Sequence, residues 1–209
     1  MFSEIFTYYE DPSLAIGEVV ESTHYSCTLS SYSLGKSPRI GEFLTIRTPE
    51  SLLVGIAVAS EIVPQTPTAM VEPLKKRLED LESIYVDLSE RFRDLTRVLL
   101  VGYWGNNSFI QGLPPFKPKI HTLVFSMKKD HVELFLKTGN ELSMRYVEIL
   151  VTYLKQEFPL ILEAHFRYLR DLLGRTMLKS LILNSIKYLN LALSDKDFMR
   201  VSRILKEVI

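Results

Sequence analysis

The spacing of apolar residues changes its period along the chain, and each change marks a different kind of element. Between Leu14 and Val63, β-branched and aromatic residues recur in short runs cut by Gly17, Gly35, Pro38, Gly41, Pro49 and Gly55. Short runs between turn formers are what a small, curved antiparallel sheet requires. They predict strands near Leu14–Ser22, Ser26–Ser31, Glu42–Thr48 and Leu53–Val63. Gly17, Gly41 and Gly55 fall inside the runs and fit bulges or barrel corners. Pro64, Pro67 and Pro73 close this block.

From Val71 to Leu95 the period becomes helical. Val71, Leu74, Leu78, Leu81, Tyr85, Leu88, Phe92 and Leu95 are spaced alternately by three and four, with charged residues around them. A stripe this narrow, held for about three and a half heptads, predicts a long helix seeking one or two helical partners. Those partners are either the C-terminal helices of the same chain or a second molecule. Leu74, Leu78, Leu81, Tyr85, Leu88 and Phe92 are the candidate partner interface. Strands then return at Val98–Trp104, Ser108–Gly112 and Ile120–Met127, with Asn106-Asn107 as a tight-turn candidate. The helix therefore reads as an insertion between strands of one barrel.

Beyond Asp130 the pattern is helical to the end. A short helix at Asp130–Lys137 stops at Gly139. A second, from Leu142 to Leu154, is ended or kinked by Pro159, and Pro159–Leu173 restarts it up to a Gly174 cap. Thr176–Leu193 is apolar nearly all round, the mark of a helix sandwiched between others. Ser194 and Asp197 can cap a last helix with a stripe of Phe198, Val201, Ile204, Leu205 and Val208. Met1–Asp11, acidic and aromatic, is expected to pack as an extra edge strand, the alternative being a docking arm. The fold class is α+β. A small antiparallel barrel at 1–128 carries a helical insertion at about 71–95, and a helical subdomain follows at 129–209.

Composition changes this picture little. Net charge is zero, which leaves room for a local patch but not for an overall basic coat. Cys27 is the single cysteine, so an intramolecular disulfide is impossible and a reducing compartment is the natural expectation. The acidic first residues argue against a signal peptide, and the apolar runs are too short or interrupted to span a bilayer. A cytoplasmic protein is expected.

The residues searched for chemistry yield no catalytic, cofactor or metal site. Gly35-Lys36-Ser37 lacks the glycine five residues earlier that a phosphate loop needs, and Pro38 and Gly41 lead into a strand. His24, His121, His131 and His165 stand at no metal-ligand spacing. By contrast, no acidic residue lies between Asp94 and Asp130. That window holds basic residues to neutralise phosphate and aromatics to stack on bases. Arg97, Trp104, Lys117, Lys119, Lys128 and Lys129 are the candidate nucleic-acid contacts.

Ile16-Gly-Glu-Val-Val-Glu-Ser-Thr23, Lys36-Ser-Pro-Arg-Ile-Gly-Glu-Phe43 and Leu53-Val-Gly-Ile-Ala-Val-Ala-Ser60 resemble the HerA–ATP-synthase barrel, the small N-terminal barrel of HerA-type DNA translocases. Val98-Leu-Leu-Val-Gly-Tyr103, Ile110-Gln-Gly112 and Pro118-Lys-Ile-His-Thr122 resemble its later strands. The resemblance covers about residues 14–128. In that family an ATPase core with a Walker A loop follows the barrel; no such loop occurs here, and the helical tail is too short for that core. The resemblance therefore implies a barrel without its motor. It also implies a role in ring assembly or in docking a NurA-type nuclease, as an accessory component of DNA-end processing. The expected function is a non-catalytic assembly or regulatory module. Its partner would be a second copy, a HerA-type translocase or a NurA-type nuclease, and nucleic-acid binding through 97–129 is the alternative.

Overall fold

Turn residues delimit the first four strands close to where the sequence places them. In the computed structural model, which describes residues 2–66, 88–138 and 141–192, the strands of the main sheet are β1 (Gly17–Ser22), β2 (Ser26–Ser31), β3 (Phe43–Arg47), β4 (Leu52–Pro64), β5 (Phe92–Gly105), β6 (Ser108–Gln111) and β7 (Leu123–Ser126). All pair antiparallel, in the order β2-β1-β7-β3-β4-β5, and β2 pairs again with β5 to close a six-stranded barrel. β6 is added as a hairpin on β5 through Asn106 and Asn107, both left-handed (φ 51° and 64°), as a tight two-residue turn demands.

The barrel wall separates two cores. Val19, Cys27, Leu29, Leu44, Ile46, Leu53, Ala57, Val98, Leu100 and Val124 fill the interior. The alternate residues of β3, β4, β5 and β7 (Phe43, Val54, Ile56, Leu99, Val101 and Phe125 among them) point outward into a second core shared with the helices. This explains the unbroken apolar run of β4: a strand buried on both faces has no polar side to alternate with. The outer faces of β1 and β2 carry Glu18, Thr28 and Ser30, which are only partly buried. The register shift between Ala57 and Ala59 is a bulge on β4, and the shift opposite Val54 and Gly55 places its extra residue, Val101, on β5. In β1 the shift falls between Val19 and Glu21, not at Gly17.

The second core is built by α1 (Phe2–Tyr8), α3 (Lys129–Leu136), α4 (Val147–Leu154), α5 (Phe158–Leu173) and α6 (Arg175–Ala192), α2 being the single turn Leu88–Arg91. Three expectations change. The N-terminal segment packs, but as helix α1 rather than an edge strand, and it buries Ile5 and Tyr9 against the barrel. The helical period at 71–95 does not persist to its end: Phe92 opens β5, and Leu95 is a strand residue paired with Glu61 and Ser30. The break between α4 and α5 comes at Lys155, with φ 49°, and Pro159 sits in the first turn of α5, where its missing N–H costs nothing. Gly174 caps α5 as expected. The last helix expected at 198–208 lies outside the described residues.

Gly41 is the corner where barrel and helices meet. Its φ is +87°, and a Cβ there would come within 2.5 Å of the His165 backbone nitrogen on α5. Only glycine permits both the turn and the approach.

Candidate functional site

β4 and β5 are far longer than their neighbours. β3 accompanies β4 only from Leu52 to Ile56, and β2 accompanies β5 only from Leu95 to Leu99, yet β4 and β5 stay paired to Pro64 and Phe92. The two strands thus leave the barrel as a ribbon. One face is covered at its base by the loop after β2. The Asp94 carboxylate accepts the Gly35 N–H at 2.9 Å and lies 3.4 Å from the Ser60 hydroxyl, which is itself 3.2 Å from Ser37. Asp94 is buried beneath this loop. The Gly35 amide is thereby committed to a carboxylate of its own chain. On the ribbon, Ile62 stands 55% exposed beside exposed Glu61 and Arg93.

The ribbon joins the barrel to the heptad segment. Of the six candidate interface residues, Leu74, Leu78, Leu81 and Tyr85 lie outside the described residues. Leu88 begins α2 and Phe92 begins β5.

The six candidate nucleic-acid contacts do not form one face. Arg97 projects from β5, paired with Glu157 at 2.9 Å, whereas the lysines flank β7. In the closed ring β5 and β7 are opposite strands. Trp104 packs edge-on against Phe6 and Phe109 and belongs to the outer core. Lys128 and Lys129 follow β7, and the Lys128 ammonium lies 3.5 Å from the centre of the Tyr8 ring. Lys117 and Lys119 precede β7 and do share a site. It is a cleft of about 770 Å³ lined by Ser22, His24, Pro115, Phe116, Lys117, Pro118, Lys119 and Ile120. Ser22, His24 and Ile120 were not among the nucleic-acid contacts expected from the sequence. The β1–β2 turn and the segment before β7 are almost a hundred positions apart, and the antiparallel pairing of β1 with β7 makes them neighbours.

Two buried histidines serve the packing layer. The Tyr9 hydroxyl lies 2.7 Å from His131 Nδ1, and the Tyr146 hydroxyl 2.7 Å from His165 Nε2. Burial pushes the His165 imidazole down to about 4, holds His131 below its ordinary value and raises Tyr9 to about 12. Cys27 is enclosed in the barrel, where desolvation raises its thiol to about 12. Among the described residues no three His, Cys, Asp or Glu side chains are grouped to hold a metal ion, and no helix is long and apolar enough to cross a membrane.

No protein-family model matches the chain, and no curated protein matches it.

Proposed function

We propose that the chain is a non-catalytic assembly or regulatory module acting through protein–protein contact, as an accessory component of a HerA- and NurA-type DNA-processing machine. The observation that carries this reading is the β4–β5 ribbon. It leaves the barrel wall, keeps an exposed isoleucine and holds at its end the segment with heptad spacing. A closed barrel built from the residues that resemble the HerA-type barrel supports the family part of the reading. The placement of Cys27 inside the barrel and of His131 and His165 in tyrosine-bonded, buried positions supports a non-catalytic role.

The test is light scattering of the purified protein together with a tagged pull-down from nuclease-treated native extract. A dimer or larger species, or recovery of a HerA-type translocase or NurA-type nuclease, is expected. A strict monomer that retains neither would overturn the reading.

A further inference from the structure

The cleft before β7 has a chemistry that the assembly role leaves unused. We infer that it binds single-stranded nucleic acid, with a base against the apolar wall of Phe116, Pro118 and Ile120 and phosphates at Lys117 and Lys119.

The cations come first. Lys117 and Lys119 are exposed at the cleft, and no carboxylate is among the lining residues. Lys119 meets Glu50 only at 3.9 Å, with both side chains more than half exposed, a pairing that water screens and a phosphate can displace. The floor comes next. Ile120 is 47% exposed, and Phe116 is partly buried, with its inner side on the barrel interior. A cleft of about 770 Å³ admits a nucleotide, since small-molecule clefts span about 300–1,000 Å³. An acidic peptide would satisfy the lysines but leave this floor uncovered. A nucleotide offers the flat face of its base for the floor and a phosphate for the rim.

The site is also shaped in advance. His121 is left-handed (φ 66°), its N–H donates to the Val19 carbonyl at 2.8 Å, and the Thr122 hydroxyl donates to the Lys119 carbonyl at 2.7 Å. Pro115 and Pro118 stiffen the approach. Little ordering entropy is then left to lose on binding.

The experiment is fluorescence anisotropy of the full chain with a labelled oligothymidylate of about ten nucleotides, from about 50 to 200 mM salt. Affinity should fall steeply with salt. Lys117→Glu combined with Lys119→Glu should weaken binding at least about tenfold and flatten the log–log salt slope by about two. Ile120→Ala should weaken it severalfold without changing the slope. Lys128→Glu with Lys129→Glu, at the far end of β7, should leave it unchanged. All five side chains are exposed, so circular dichroism should show each variant folded. Absence of binding at low salt, equal loss from the Lys128/Lys129 pair, or equal displacement by polyglutamate would each overturn the inference.

Discussion

The carbonyl oxygen of Gly41 and Nδ1 of His165 lie 2.5 Å apart, joining the corner of the barrel to α5. A carbonyl only accepts, so Nδ1 carries the proton, and Nε2 of the neutral ring accepts from the Tyr146 hydroxyl. The ring is enclosed with both nitrogens satisfied, edge-on to Phe43 and stacked near Tyr168.

This arrangement sets a pH dependence. The folded-state value of His165 is near 4, below its ordinary 6.5, so the unfolded chain binds the proton more readily. Stability from the neutral ring is complete above about pH 6.5 and is lost as pH falls toward 4, a change of roughly 3 kcal/mol. His131 shifts in the same direction and adds to it. Urea denaturation between pH 7.5 and 4.5 should show the midpoint falling. His165→Leu should be less stable at neutral pH but show a flatter profile.

Gly41→Ala and Gly35→Ala form a matched pair. Both glycines have positive φ, but a Cβ at Gly41 would strike the α5 backbone, whereas Gly35 faces open space. Gly35→Ala should cost only the conformational term of about 1–2 kcal/mol. Gly41→Ala must also displace α5 and should lower the thermal midpoint much further, or prevent folding.

Asp94→Ala should release the loop at Ser33–Pro38, because it removes the acceptor of the Gly35 N–H. A loss of about 1–3 kcal/mol is expected. Hydrogen exchange should locate it: the Gly35 amide should lose protection while β3 amides keep theirs.

Ile62→Asp separates packing from assembly. The side chain is more than half exposed, so stability should change by no more than about 0.5 kcal/mol. If the ribbon contributes to an interface, light scattering should show a smaller species. Leu81→Asp and Leu88→Asp should do the same where the heptad seam is intermolecular, and should instead destabilise the chain where it is internal.

The Cys27 thiol should resist Ellman's reagent in the native protein and react at once in denaturant, given its enclosure and raised pKa.

Local signals were legible wherever one residue type decides the backbone. Asn106-Asn107 marks its turn, Gly174 its cap, and the strand runs of β1–β4 end at their turn formers. The start of β5 was not legible. Leu88, Phe92 and Leu95 continue a helical spacing, but pairing of Phe92–Leu95 with β4, and of Leu95 with β2, overrides it. The N-terminal helix was missed for a related reason: Ile5 and Tyr9 are positioned by the outer core they enter. Of the basic residues, the window from Asp94 to Asp130 groups them in sequence, while the ring places Arg97 across from the lysines. His24 and Ser22 join the cleft only through the long-range pairing of β1 with β7.

Pro64 and Phe92 face each other across the ladder, so the chain departs from the barrel and returns to it at one point. Whatever lies between is spliced in without disturbing strand register, at the kind of junction that tolerates insertion. The barrel is in this sense a socket and the intervening segment a cassette. Exchanging the cassette for a two-residue turn, or for another heptad sequence, would keep the Pro64–Phe92 junction and its register.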